Sequence, residues 1–296
     1  MNKTAQLLIV FAAFCWGISG IWIRFLSTAG FSYYELTASR SVIVSACMFA
    51  LLFITDRPAV KINIRDIWIF VCTGGFGTVL CTIFYIYTAM KITLSATTIL
   101  LYTSPYMVLL ISAVVFKERI TLQKAGALLI AFTGCIMTTG LIGKTHLPAI
   151  GVLTGLGAAF SYSLYTIFSK FALKKYKPVT IIAYSHGISF ILLAPFCDFG
   201  NIMTLVGSGE DLAALLLFAI VLSLLPALCY LKGLEKLEAS RASILAFVEP
   251  LTAAAAGAVV YREMLSVIKV TGIALIFLAL VVLNLKSALK QERMTV

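Results

Sequence analysis

Three ionisable side chains lie inside long apolar runs of the sequence: Arg40, His186 and Glu249. Placing such a group in a membrane interior costs roughly 2.5–3.5 kcal/mol or more, which makes each of them a candidate for binding charged ligands or carrying protons. Each also has a structural interpretation. Arg40 could close helix packing or bind a lipid headgroup, His186 could bond to a neighbouring helix, and Glu249 could be a structural carboxylate.

Polar aromatic side chains form a second group, also at mid-depth in apolar runs. A residue that faces lipid at this depth is normally Leu or Val, so we expect these rings to face inward. Tyr162 and Tyr165 are three residues apart and therefore share one helix face. The group forms either interhelical hydrogen bonds or the wall of a cavity for amphipathic or aromatic molecules. The candidate binding residues are Trp16, Tyr85, Tyr102, Tyr162, Tyr165 and Tyr230.

Two prolines, Pro105 and Pro250, also lie inside apolar runs. A proline within a helix removes a backbone donor and frees a carbonyl four residues earlier. In a membrane this is tolerated where neighbouring helices or cavity water satisfy the freed group. The sequence therefore predicts two helix kinks, which serve either packing alone or a central cavity that both kinked helices face.

The residues needed for covalent chemistry are missing from the sequence. It has two histidines, one of them His146 in a predicted loop, and neither an H-E-x-x-H nor a G-x-S-x-G pattern. None of the seven cysteines belongs to a C-x-x-C pair, and all seven lie in apolar segments. We therefore predict no catalytic residue, no metal and no cofactor, and we expect that the chain is not an enzyme.

Ten apolar segments position these residues. Of the 296 residues, 61% are hydrophobic and 12% are charged, too few charges for a soluble surface. A membrane-spanning helix needs roughly 20 apolar residues. The sequence predicts an all-α integral membrane protein with ten transmembrane helices. The predicted spans are 5–26, 35–54, 67–89, 95–116, 122–141, 149–170, 179–197, 211–232, 239–261 and 266–285.

Basic residues are distributed unevenly between the two sides of these spans. Of the 23 Lys and Arg residues, 17 lie on the side of the N-terminus and four on the other, with Arg24 and Arg40 inside spans. Lys and Arg concentrate in cytoplasmic loops, so both termini of this multi-pass protein are predicted to be cytoplasmic. The net charge of +11 resides in short loops without a basic face, which argues against a nucleic-acid partner.

The second half of the chain repeats the first at an offset of 145 residues. The segment from Ser95 to Pro105 returns as Ser240 to Pro250. Each half, 5–141 and 149–285, holds five spans. Because five is odd, the second half enters the membrane from the opposite face, and we predict two inverted repeats related by an axis in the membrane plane. Glu249 aligns with the neutral Ser104, so the repeated scaffold does not itself require a carboxylate there.

Each repeat also carries an acidic residue beside basic ones where a span ends. These are Lys117-Glu118-Arg119 in the first half and Arg262-Glu263 in the second. We expect them to form ion pairs that close the tight turn to the next span; the alternative is contact with the substrate.

The duplicated motifs resemble the EamA family of the drug/metabolite transporter superfamily. Each half has a Ser/Thr-rich helix, a mid-helix proline and the pattern (K/R)-E-(R/M)-(I/L)-(T/S). Phe14-Cys15-Trp16-Gly17, Ala38-Ser39-Arg40-Ser41 and Glu249-Pro250 are also similar to that family. The resemblance implies a ten-span inner-membrane carrier of small metabolites and leaves the cargo open.

These features together predict a secondary-active transporter that works by alternating access, with a central cavity between the repeats. The expected cargo is amino acids, related amphipathic compounds or drugs, and the expected direction is export. The alternatives are a passive channel and, further from the pattern, a membrane-embedded enzyme. Besides the substrate, the expected partners are the lipid bilayer and protons carried by Glu249, and the oligomeric state stays open.

Overall fold

The structure, a computed structural model, describes residues 2–139, 148–261 and 266–292, without the side chains of residues 261 and 285–292. Its ten long apolar helices confirm the predicted all-α membrane fold. They are α1 (Lys3–Ala29), α2 (Tyr33–Thr55), α3 (Ile64–Lys91), α4 (Leu94–Val115), α5 (Leu122–Thr139), α6 (Ala149–Ala172), α7 (Pro178–Phe196), α8 (Gly209–Lys236), α9 (Ala239–Val260) and α10 (Val267–Asn284), and the last continues to Glu292. The predicted end of the first repeat, residue 141, lies outside the described residues, as do His146, Arg262 and Glu263.

The first two helices show how local sequence sets the helix ends. The side chain of Asn2 accepts a hydrogen bond from the backbone of Ala5 and caps α1, which ends at Gly30 with φ of 119°, a conformation that glycine adopts without strain. Ser32 and Glu35 then form a reciprocal capping box at the start of α2. The chain therefore reverses direction within a few residues.

Both repeats interrupt their third helix at matched positions. In α3 the segment Cys72–Leu80 is a π-helix, and in α8 the segment Ile220–Leu224 is one. Adding the repeat offset of 145 to residues 75–79 gives residues 220–224. A π-segment widens the helix and displaces the side chains after it, and such segments often occur at functional sites. The sequence analysis did not predict either segment.

The fourth helix of each repeat is broken just before its proline. In α4 the helix stops at Leu101 and resumes at Ser104, with Pro105 in the new first turn. In α9 it stops at Leu245 and resumes at Val248. A proline is tolerated in a first helical turn because the amide it lacks has no partner there in any case.

The two repeats pack against each other through four helix pairs, of which α2 with α7 and α5 with α10 join equivalent helices, while the other two are exchanged by the repeat symmetry. Helix α2 packs on α7, α5 on α10, α1 on α8, and α3 on α6. Between α5 and α10 a Cβ atom on Gly134 would lie 2.6 Å from the Gly272 carbonyl oxygen, and one on Gly272 would lie 2.6 Å from that of Gly134. Small residues thus let these backbones touch, as is typical of membrane helix pairs.

The chain begins and ends on the same face of this bundle. Gln6 in α1 donates a hydrogen bond of 3.1 Å from Nε2 to Oδ1 of Asn284 in α10. We call this face the terminal face and the other the opposite face. A short helix that the sequence analysis did not predict, Phe199–Val206, connects α7 to α8 at the opposite face, where the side chain of Asp198 caps it.

The ion pair that Glu118 forms across the turn from α4 to α5 is with Lys124, at the start of the next span, and the expected pairing with the flanking Lys117 or Arg119 is wrong. The Glu118 carboxylate accepts hydrogen bonds from the backbone amides of Ala239 (2.7 Å) and Ser240 (3.1 Å) and from the Ser240 hydroxyl. Its nearest cation is Lys124, at 3.9 Å. A carboxylate is well placed at a helix N-terminus because free backbone amides point toward it. Glu118 in the first repeat therefore caps α9 of the second.

Candidate substrate site

A large cavity lies between the two repeats. It holds about 820 Å³ of empty space including its open mouth, and it is lined by residues of α1, α2 and α3 from the first repeat and α6 to α9 from the second. Arg40 lies seven residues, or about 10 Å, along α2 from its start at the opposite face. The cavity thus extends from the centre toward that face. Its lining residues are Trp16, Ser19, Arg40, Gly77, Thr78, Cys81, Thr82, Tyr162, Tyr165, His186, Ser223, Ala227 and Glu249.

A smaller cavity, with room for about one water molecule, continues toward the terminal face. It shares Tyr162 and Glu249 with the larger cavity, so these two residues stand between the two spaces. Ser243, which also lines it, lies four residues, or about 6 Å, from the start of α9 at the terminal face. Its lining residues are Tyr102, Ser104, Pro105, Val108, Tyr162, Thr166, Tyr230, Ser243, Ala246, Phe247 and Glu249.

Aromatic rings form much of the wall between and around these spaces. The ring centroids of Trp16 and Tyr230 are 5.2 Å apart, and those of Tyr165 and Tyr230 are 6.3 Å apart. The hydroxyl of Tyr230 is 2.8 Å from that of Thr166, which satisfies it in the apolar interior. The rings therefore present apolar faces to the cavities while this polar tip is bonded to a neighbouring helix.

Two glycines bring the wall helices close together. A Cβ atom on Gly17 would lie 1.7 Å from Oγ1 of Thr252 and 2.5 Å from the carbonyl oxygen of Glu249. A Cβ atom on Gly77 would lie 2.8 Å from the Cα atom of Tyr165. Any larger residue would separate α1 from α9 or α3 from α6. These glycines therefore fix the positions of Glu249 and Tyr165 in the cavity wall.

The three predicted ionisable residues line the same cavity but have different partners. The hydroxyl of Tyr102 lies beside the carboxylate of Glu249. His186 is 3.4 Å from the Ser41 hydroxyl through Nδ1. The Nε atom of Arg40 is buried and has no hydrogen-bond partner among the described residues, and the guanidinium carbon lies 5.8 Å from the centroid of the Phe218 ring.

The fold brings most of the predicted residues together. Trp16, Arg40, Tyr162, Tyr165, His186 and Glu249 line the larger cavity, while Tyr102, Pro105 and Tyr230 line the smaller one. Tyr85 and Pro250 line neither of the two. The Tyr85 hydroxyl is 3.4 Å from that of Thr98, between α3 and α4.

The sequence analysis did not predict the small polar residues that line the larger cavity. Thr78 and Ser223 belong to the π-segments of α3 and α8, while Ser19 and Thr82 lie on α1 and α3. Their signal was available, because hydroxyl groups recur inside otherwise apolar spans. That signal is weak, since Ser and Thr in membrane helices commonly bond to their own backbone.

Among the described residues, His, Cys, Asp and Glu form no group of three that could hold a metal.

Comparison with known proteins identifies the architecture. The EamA-like transporter family matches residues 3–140 and again residues 149–285. The chain belongs to this family. This membership and the ten apolar helices make it a multi-pass membrane transporter of the EamA type.

Similar proteins cover nearly the whole of this EamA family member. The uncharacterized transporter YwfM of Bacillus subtilis is 30% identical over 287 residues, which cover 94% of this chain and 93% of YwfM. An uncharacterized transporter of Archaeoglobus fulgidus is 26% identical over 258 residues, covering 87% of this chain and 89% of its own. A protein of known crystal structure superposes with a TM-score of 0.81 at 17% identity, over 96% of this chain and 98% of that one, which shows a shared fold.

Proposed function

We propose that this EamA-type transporter is a secondary-active exporter of small amphipathic metabolites, among them amino acids, related compounds or drugs. The observation that carries the proposal is the cavity of about 820 Å³ between the repeats, with aromatic walls and few charges. Binding sites for small molecules are usually concave and mostly apolar, with a few polar groups that fix orientation. We place the substrate against Trp16, Tyr162 and Tyr165, with Tyr102 and Tyr230 one layer deeper; Tyr85 is the candidate with the least support.

The proposed mechanism is alternating access. In this conformation the larger cavity extends toward the opposite face, while polar contacts between the repeats, most of them partly buried, occupy the terminal face. Inverted repeats can exchange their conformations and thereby expose the same central site to the other side. The π-segments and the breaks before Pro105 and Pro250 supply positions at which the helices can adjust.

Glu249 is the proposed coupling residue. It lines both cavities, so its carboxyl group can be reached from either side as the repeats move. A group that couples transport to protons must take up a proton from one side and release it to the other. Its position between the two spaces supports that role.

We further propose that the terminal face is cytoplasmic and that the protein resides in the plasma or inner membrane. The 17 basic residues on that side, against four on the other, support this orientation. Reporter fusions at residues 2 and 296 test it. Activity of both fusions on the cytoplasmic side is expected, and an external location of either one would contradict the orientation.

Transport is tested with purified protein in liposomes. Labelled amino acids, carboxylates and nucleosides are offered outside vesicles that contain the same unlabelled compound. A carrier shows saturable uptake that the internal compound accelerates, whereas a channel shows neither saturation nor exchange. An enzyme would convert the compound without any gradient.

A matched pair of variants locates the site within that assay. Trp16→Ala should raise the half-saturating concentration about fivefold, since a lost aromatic contact is worth about 1 kcal/mol. Tyr33→Ala removes an exposed ring at the start of α2 and should leave it unchanged. Equal values for both variants would contradict the proposed site.

A further inference from the structure

Arg40 is a partly buried cation in the wall of the larger cavity, and no carboxylate of the described residues forms an ion pair with it. Its Nε atom is inaccessible and has no hydrogen-bond partner in the part of the chain that the structure describes. The guanidinium forms no ion pair with Glu249, although both side chains line the larger cavity. Within the described part of the chain, the guanidinium carbon lies over the Phe218 ring, 5.8 Å from the ring centroid.

Two other basic residues, both at helix ends, have protein oxygens as partners. Lys124 has the carboxylate of Glu238 at 2.8 Å and donates to the Arg119 carbonyl at 3.0 Å. Lys170 donates to the carbonyls of Leu234 (2.6 Å) and Leu237 (2.7 Å) at the end of α8. The fold thus satisfies these two cations with its own oxygens and leaves Arg40 facing the cavity.

A guanidinium that has no carboxylate partner attracts anions. Arginine presents five donors in a planar fork that matches the two oxygens of a carboxylate or the oxygens of a phosphate. With Nε buried, the two terminal nitrogens are the donors that a ligand would reach. The hydroxyl groups of Ser19 and Thr82 line the same cavity and can donate further hydrogen bonds.

We propose that Arg40 is the oxyanion subsite of the cavity and holds the carboxylate of a soluble ligand. The inference rests on the proposed function in one respect, namely that the cavity is where the transported molecule binds. The aromatic residues Trp16 and Tyr165 then contact the apolar part of that molecule. Glu249 lines the same cavity, is not paired with Arg40, and can therefore bind a cationic group of the ligand. An α-amino acid has a carboxylate for Arg40 and an ammonium group for Glu249.

Anion binding can be measured without knowing the substrate. In a Trp22→Phe, Trp68→Phe background, Trp16 is the sole tryptophan, and its fluorescence, excited selectively over that of tyrosine, reports on the cavity. Quenching by iodide is compared with quenching by neutral acrylamide in a non-ionic detergent. We expect the ratio of iodide to acrylamide quenching constants to fall about threefold or more in Arg40→Gln and to be retained in Arg40→Lys, because a nearby positive charge concentrates anions.

The matched control is Arg24→Gln, which removes the same charge from α1 at an exposed position outside the cavity lining. It should leave the ratio unchanged. An equal fall in Arg24→Gln, or no fall in Arg40→Gln, overturns the proposal. Should Arg40→Gln misfold, judged by gel filtration, the folded wild-type protein still decides through the competition described next.

Competition identifies the chemistry of the anion. At neutral pH 3-phenylpropionate carries a carboxylate and phenethylamine an ammonium group on a similar apolar body. The carboxylate should protect Trp16 from iodide, and the amine should not. Equal protection by the amine, or protection by added phosphatidylglycerol alone, overturns a carboxylate subsite, and the second result identifies a lipid headgroup as the ligand.

The quenching experiment and the transport assay test different claims, so either one can be contradicted without the other. An Arg40-dependent iodide preference without transport of any solute would leave the oxyanion subsite standing and contradict the exporter. Saturable exchange without that preference would support the transporter and overturn the subsite.

Discussion

At the terminal face the two repeats are joined by ion pairs and hydrogen bonds, whereas toward the opposite face the larger cavity separates them. Across the terminal face Glu118 caps α9, and Lys124 pairs with Glu238 at 2.8 Å. Gln123 at the start of α5 donates hydrogen bonds to the carbonyls of Val282 (2.7 Å) and Leu283 (2.9 Å) in α10.

The start of α3 is also joined to the second repeat at the terminal face. Asp66 accepts a hydrogen bond from the Tyr176 hydroxyl at 2.7 Å and forms an ion pair with Lys175 at 2.9 Å. At the opposite face, contacts between the repeats in the described residues include Asn201 Nδ2 to Glu35 (3.1 Å) and the hydroxyls of Thr88 and Thr154 (2.8 Å).

The comparison shows that the closed end is held by polar contacts at helix ends as well as by packing. Such contacts are directional, and each of them is lost completely over a small displacement. Helix ends can also exchange a protein partner for water once they are exposed. A closure built in this way can open without disrupting the apolar packing of α5 on α10, which suits a protein that must change conformation repeatedly.

The largest expected effect on transport is that of replacing Glu249, which lies between the two cavities. Glu249→Gln should abolish accumulation driven by a pH gradient while it preserves exchange of labelled for unlabelled substrate, because an amide cannot release a proton. Both activities are measured in the same liposomes. Glu210→Gln, at the start of α8 on the opposite face, is the control and should retain both. Retention of both activities in Glu249→Gln would rule out the coupling role.

The next effect tests how tightly α1 and α9 approach beside the cavity. Gly17→Ala should destabilise the protein by about 2 kcal/mol, since overpacking a tight contact typically costs 1–3 kcal/mol. Gly20→Ala is a matched control on the same helix, because a Cβ atom there would meet nothing within 4 Å. Thermal unfolding in detergent should separate the two variants by several degrees. Similar melting temperatures would mean that the helices do not touch at Gly17.

A smaller effect tests the closed terminal face directly. Glu118→Ala removes the cap of α9 and the carboxylate beside Lys124, and such a cap is worth about 1 kcal/mol. In a cysteine-free background carrying Ser243→Cys, a membrane-impermeant maleimide applied to the terminal face should react about fivefold faster when Glu118 is replaced. Glu210→Ala should leave the rate unchanged. An unchanged rate in Glu118→Ala would show that packing alone closes this face.

The smallest effect concerns an exposed contact at the terminal face. Lys177 donates a hydrogen bond to Asp56, and this bond holds the pKa of the Asp56 carboxyl below its ordinary value. A carboxyl with a lowered folded-state pKa stabilises the protein above its unfolded pKa, about 3.9, and loses that contribution as the pH falls through the folded pKa.

Asp56→Asn should therefore lower the melting temperature slightly at pH 7, and the difference from the wild type should shrink as the pH falls below about 4 and vanish below the folded-state pKa. Thermal unfolding between pH 7 and pH 3 measures the difference in melting temperature, and Lys177→Met, which removes the other partner of the hydrogen bond, should behave in the same way. A difference that persists unchanged at pH 3 would mean that the ion pair is not its cause.

The sequence by itself determined the ten spans, the inverted repeats and the family. Span length and apolar composition are properties of each segment alone, so residues 35–54 already predicted α2 to within two residues of Tyr33–Thr55. The repeat of Ser95–Pro105 at Ser240–Pro250 is likewise visible without knowing what either segment touches. The identities of most cavity residues followed from the rule that polar side chains avoid lipid.

Only the tertiary structure decided which of these residues meet. It placed Glu118 on the other repeat instead of on its own turn, left Tyr85 outside the two cavities and kept Arg40 apart from Glu249. The two π-segments also arise only in the fold. The physical reason is that lipid is as apolar as the helix surfaces, so hydrophobic periodicity does not fix the rotation of a membrane helix about its axis. That rotation is set by close contacts such as those of Gly17 with Thr252 and Gly77 with Tyr165, which join segments far apart in sequence.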